Sequence, residues 1–157
     1  MKITYEIDFE TYETRKSAQA LLRRINAEGK ANQLDAILTD LYPDGMTEDE
    51  LDDILDYSED DVLRWLDMRS ETDVRSDITD KEAEIEEYKD AIHELEIDIA
   101  DYEAQLLDGG NSDEECAELE ENILDARSEI STYEDDITAA TEELNDLEEE
   151  LEEILSY

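Results

Sequence analysis

The chain has 157 residues, and its 52 acids against 12 Lys and Arg leave a formal net charge of −40 at pH 7. That charge excludes nucleic acid and anionic lipid surfaces as direct partners by repulsion, and it suits a strongly basic protein surface. The length fits one compact domain, or a small domain with an extended element. A single cysteine permits no internal disulfide and fits a reducing cytoplasm. No apolar run reaches membrane-spanning length and residues 1–20 lack a signal-peptide pattern, so the expectation is a cytoplasmic protein with no membrane contact.

Residues 2–9 alternate strictly. Ile3, Tyr5, Ile7 and Phe9 share one face and Lys2, Thr4, Glu6 and Asp8 the other, as in a strand. A lone strand needs a partner, which leaves an extended arm or strand pairing in a homodimer.

Residues 11–28 read as a helix, with Ala18, Leu21, Leu22 and Ile25 inward and Gly29 as C-cap. Residues 31–42 read as a second, with Leu34, Ile37, Leu38 and Leu41 inward, stopped by Pro43 ahead of the turn at Asp44-Gly45. Thr47 and Glu50 form a capping box for a third helix that buries Leu51, Ile54 and Leu55. Ser58, with Asp61 three residues on, caps a fourth that buries Val62, Trp65 and Leu66. Ser70, with Asp73 at the same offset, caps the first long helix.

From residue 72 the pattern changes. Val74, Ile78, Lys81, Ile85, Tyr88, Ile92, Leu95, Ile99, Tyr102 and Leu106 are spaced 4-3-4-3. After Gly109-Gly110 the rhythm restarts at Cys116 and runs through Leu119, Ile123, Ala126, Ile130, Tyr133, Ile137, Ala140, Leu144, Leu147 and Leu151 to Ile154. Two successive heptad seams joined by a short polar loop predict an antiparallel coiled-coil hairpin. The predicted fold class is therefore mainly all-α. A small helical head with a strand-like arm spans 1–70, and an acidic hairpin spans 71–157 with helices at about 71–107 and 113–155.

Charge divides along the same line. Residues 1–34 hold five acids and six bases, 35–71 hold fourteen and two, and 72–157 hold thirty-three and four.

Three motifs bear on function. The helix pair at 47–67 resembles a helix-turn-helix in its apolar pattern, but Asp52, Asp53, Asp56, Glu59, Asp60 and Asp61 would meet phosphate with the wrong sign. Its plainer reading is a helical corner with acids at helix N-termini, where the dipole favours them. His93 and Cys116 fall on different predicted helices, and Cys116 lies on the seam. The chain shows no calcium-loop spacing, no glycine-rich phosphate loop and no nucleophile–base set, so the expectation is no enzyme, no metal and no cofactor.

The third motif is the hairpin's charge. A coiled coil selected for stability flanks its seam with opposite charges. Here the flanks carry Glu82, Glu84, Glu96, Asp98, Glu103, Glu129, Glu134, Asp136, Glu143, Glu148 and Glu150, with Asp135, Glu149, Glu152 and Glu153 further out, against Lys89 and Arg127. Like charges four apart each cost a few tenths of a kcal/mol. Along helices of about 55–65 Å, thirty-three acids give a carboxylate per roughly 1.7–2 Å, against about 1.7 Å per phosphate charge in duplex DNA. The pair is about 20 Å across. Width and linear charge point to a DNA mimic, with a merely acidic, solvated spacer as the alternative reading. On that reading, single Glu→Gln changes are nearly silent and reversal of Glu148, Glu149, Glu152 and Glu153 to Lys abolishes binding.

Glu28-Gly29-Lys30, Gln33-Leu34-Asp35, Leu41-Tyr42-Pro43-Asp44-Gly45-Met46-Thr47-Glu48 and Leu51-Asp52-Asp53-Ile54-Leu55 resemble small acidic proteins of phages and mobile elements of gut Firmicutes. The resemblance covers roughly 15–68, and the family's usual form ends near residue 70, so the hairpin is a departure. Together with the charge, it is similar to type II anti-CRISPR inhibitors of Cas9, which occupy the basic groove that reads or holds DNA. It implies a phage-encoded inhibitor in the cytoplasm of a bacterial host, with Cas9 or its guide-RNA complex as partner. The acids named above at 52–61 and 82–153 are its partner-binding surface. The alternative is a structural or interaction coiled coil, in phage assembly or as an adaptor, with no inhibitory activity.

Overall fold

The computed structural model describes Phe9, Tyr12 and residues 18–157. Among these it contains six helices and no strand: α1 (Gln19–Ala27), α2 (Ala31–Leu41), α3 (Glu48–Tyr57), α4 (Glu59–Trp65), α5 (Glu71–Leu107) and α6 (Asp113–Leu155). The expected strand at 2–9 lies outside the described residues apart from Phe9, which is buried. The chain divides into two compact units, one of residues 1–74 with 150–157 and the other of residues 75–149. Residues 71–74 and the last six residues of α6, 150–155, fall within the first unit.

The head is held by burial. Leu22, Ile25, Leu34, Leu51, Leu55, Val62 and Leu66 are at most 1% exposed, and Tyr12, Ile37, Ile54 and Trp65 pack around them. Helix ends follow local chemistry. Glu28 N–H and the two amides after it close α1, with Gly29 at φ 70° and Lys30 N–H on Ile25 O at 2.9 Å, a left-handed turn that glycine adopts without cost. The Thr47–Glu50 capping box is reciprocal, at 3.0 and 3.1 Å. So is the Ser70–Asp73 pair that starts α5, at 3.3 and 3.0 Å. A third pair, Ser112 with Glu115, starts α6.

Four expectations for the head fail. Tyr12 is not helical and α1 is Gln19–Ala27, while residues 11 and 13–17 of the expected helix lie outside the described residues; Tyr12 donates its hydroxyl to Asp52 Oδ1 at 2.8 Å. Leu41 is 53% exposed, so the last turn of α2 leaves this apolar side chain to solvent. Leu63, not counted as inward, is 3% exposed; its carbonyl accepts from Met68 N–H at 2.8 Å as α4 closes. Ser58 makes no side-chain cap. It ends α3 and begins α4 at once, at φ −117° and ψ 31°, and that backbone does not present the hydroxyl to the next amides as extended geometry does. Asp61 pairs instead with Arg64 at 3.0 Å.

In the hairpin, α5 and α6 pack against each other with the boundaries the heptads gave. In the second unit every seam residue is buried or half-buried, with Ile85, Ile123, Ala126 and Ala140 the most enclosed. Two helices cover only a thin strip, so the rest of the seam keeps partial solvent contact. Lys81 sits on that strip. Its Nζ lies 2.6 Å from Glu143 Oε2 on α6 and 2.8 Å from Glu84 Oε2, and Tyr88 donates to Glu84 Oε1 at 2.8 Å. Tyr88 packs on Tyr133 at 5.9 Å between ring centres. A polar seam residue with one set of partners fixes register.

Candidate partner-binding surface

Ile78 and Cys116 set the heptad letter a on the two helices. In an antiparallel pair, e positions then face e along one side and g faces g along the other. Arg127 Nη2 donates to Glu103 Oε1 at 3.2 Å, and both are e residues, which marks the first side.

Within residues 75–149 the two sides differ sharply. The b and e positions hold eight acids and three bases, Arg75, Lys89 and Arg127. The c and g positions hold fifteen acids and no base. Asp80, Glu87, Glu94 and Asp101 on α5, with Asp108 just past its end, form an unbroken c row, all exposed. Fifteen carboxylates along about 46 Å give one per roughly 3 Å, close to the phosphate spacing of about 3.4 Å along a single DNA strand. The carboxylates concentrate on one flank instead of spreading evenly round the rod.

That division sorts the sequence-predicted residues. Glu84, Asp98 and Asp136 belong to the acidic side, while Glu82, Glu96, Glu103, Glu134 and Glu148 lie on the mixed side, with Asp135 and Glu149 between. Glu84 is already engaged: hydrogen bonds from Lys81 and then from Tyr88 hold its carboxyl below the usual carboxylate range. The same two carboxylates, Glu143 first and then Glu84, hold the Lys81 ammonium above its usual range. Glu103 is paired with Arg127, and Lys89 lies 3.5 Å from Glu86. The c row was missed at sequence level, although its seven-residue repeat of Asp or Glu is visible once the seam is lettered.

The head acids stand apart from that pattern. Asp52 and Asp56 are half-buried, Asp52 beneath Tyr12. Desolvation, then Asp52, raises the Tyr12 pKa. Asp53, Glu59, Asp60 and Asp61 are exposed. Glu59 is exposed as a residue, yet partial desolvation of its carboxyl, and next the Asp60 charge, raises its pKa. Glu152 and Glu153 are exposed and belong to the head unit. Arg69 Nη1 anchors that C-terminal turn through Glu150 Oε2 at 3.0 Å. Arg24, 7% exposed, is a buried cation that no sequence pattern marked; it holds Glu28 at 3.2 Å.

A shallow cleft of about 400 Å³ beside α4 is lined by Asp60, Leu63, Arg64, Asp67, Met68, Ser70, Thr72 and Asp73. It contains no nucleophile–base pair. Among the described residues no group of three or more His, Cys, Asp or Glu could hold a metal ion. His93 is exposed, and Cys116 is a half-buried free thiol. No helix of the described residues is long and apolar enough to cross a membrane. Comparison with protein families, curated proteins and solved structures finds no match to this chain.

Proposed function

We propose that the protein inhibits a bacterial nucleic-acid-binding defence protein by placing the acidic side of its hairpin in that protein's basic DNA site. The favoured target is Cas9 bound to its guide RNA, whose duplex and PAM sites depend on Arg and Lys. On this reading the protein is phage-encoded, acts in the host cytoplasm, has no catalytic role and binds neither DNA nor RNA itself.

The observation that carries the reading is the c and g side of the hairpin, with fifteen acids, no base and strand-like charge spacing. Its c and g positions hold no Lys or Arg while the b and e positions keep three, and Lys81 reaches this side from the seam to engage two of the fifteen carboxylates, Glu84 and Glu143. Carboxylates docked on Arg and Lys displace counterions as phosphates do, so association is fast and steeply salt-dependent.

The test is a pull-down with tagged full-length protein from nuclease-treated bacterial lysate supplemented with Cas9–guide complex, washed at rising salt. Recovery of Cas9, lost on adding duplex DNA or high salt, is the expected result. Recovery only of partners indifferent to DNA contradicts mimicry and favours an interaction coiled coil.

A further inference from the structure

The outer face of α5 carries a second stripe at seam spacing. His93, Ile97, Ala100, Ala104 and Leu107 follow one another 4-3-4-3, and all five are exposed, Ile97 by 55% and Leu107 by 88%. Single exposed apolar residues are ordinary. A run of five neutral positions at heptad spacing, on a helix otherwise dense in acids, is the pattern of a helix with two partners. One partner is α6, along the buried seam. Nothing among the described residues covers the other stripe.

We propose that this stripe docks a basic amphipathic helix of a partner protein. The flanks decide the chemistry. Glu94, Asp101 and Asp108 border the stripe on one side and Glu96 and Glu103 on the other; all are exposed. A helix seated there lays its own apolar positions on Ile97 and Leu107, approaches closely over Ala100 and Ala104, and sets its flanking residues against carboxylates on both sides. Lys or Arg at those positions forms ion pairs, whereas neutral residues leave the carboxylates poorly solvated. A second copy is the wrong occupant. A two-fold axis at Ala100 aligns the stripes but opposes the same acids to one another on both flanks, at −40 per chain. The stripe spans about 21 Å, four turns of helix, enough for the i, i+3, i+4 and i+7 anchors of helix docking. This inference goes beyond nucleic-acid mimicry, which asks nothing of apolar spacing.

The probe is a labelled 21-residue peptide with Leu at a and d and Lys at e and g, compared with a peptide of the same composition in shuffled order. Binding to the full-length protein is followed by fluorescence anisotropy, beside the variant I97S/L107S and the single variant A104E. All three positions are exposed, and helical circular dichroism checks that the fold is kept. The amphipathic peptide is expected to bind roughly tenfold more weakly to either variant, while the shuffled peptide binds weakly and alike to all three proteins. Equal binding of the two peptides, unchanged binding by the variants, or no binding of the amphipathic peptide would overturn the proposal. So would a salt-insensitive dimer in sedimentation that the variants abolish, since the occupant would then be a second copy.

Discussion

The head and the hairpin are both helical and both acidic, yet they are stabilised differently. In the head, eight large side chains are at most 1% exposed, and its capping acids, such as Glu50 and Asp73, bond helix N-termini. In the hairpin a thin, half-wet seam holds together two helices whose outer positions repel one another. Where burial is deep, charge is placed to suit the fold; where burial is shallow, charge is placed at the fold's expense.

The contrast breaks most visibly by truncation. Leu22→Ala or Leu55→Ala removes a fully buried side chain and is expected to cost about 2–5 kcal/mol. Ile99→Ala, on the half-buried seam, is expected to cost about 1–2 kcal/mol. Trp65 is the only tryptophan and packs against the head core, so its fluorescence in urea reports the head, while far-ultraviolet circular dichroism is dominated by α5 and α6. Equal losses at the two sites would erase the distinction.

Salt sharpens it next. Raising ionic strength from about 0.01 to 1 M shortens the screening length from about 30 to 3 Å. The helical signal should then melt several degrees higher, with a smaller change in the Trp65 transition. A hairpin indifferent to salt would mean that its like charges cost nothing.

Acid gives smaller effects of opposite sign. The carboxyl of Glu84 is held below its unfolded range, so its contribution is present above the unfolded value and fades as pH falls through the folded one. Glu59 is raised, so its folded form gains relative stability as pH falls, and Glu59→Gln should raise the melting temperature slightly at pH 7 while Glu84→Gln lowers it. The smallest expected effect is that of Glu94→Gln on partner binding, which should fall within error, since one of fifteen carboxylates is removed.

Hairpin boundaries, loop and seam were legible in the sequence because a heptad is local and repeats many times. Thr47–Glu50 and Ser70–Asp73 were legible for a similar reason, each cap being written within four residues. What escaped was tertiary. Leu41 has the right helical phase yet stays exposed, Leu63 shares the helical face of Val62 and Leu66 and is buried with them, and Arg24 is buried although no local pattern marks it. Ser58 looked like Ser70, but its backbone serves two helices at once. On the candidate surface, the total charge was legible and its sidedness was not, because sidedness emerges only when e, g, b and c are separated by the seam.

The most direct test reverses charge on one side at a time. One variant carries Asp80, Glu87, Glu94 and Asp101 changed to Lys, on the c row; the other carries Glu82, Glu96, Glu120 and Glu134 changed to Lys, on the e row. Each makes the same change in net charge. Displacement of labelled duplex DNA from the Cas9–guide complex is measured with both, after circular dichroism confirms that each is folded. Loss of displacement by the c-row variant, with most of it kept by the e-row variant, is the expected result. Equal loss in both would show that net charge alone matters, and displacement retained by the c-row variant would contradict the assignment of the acidic side as the binding surface.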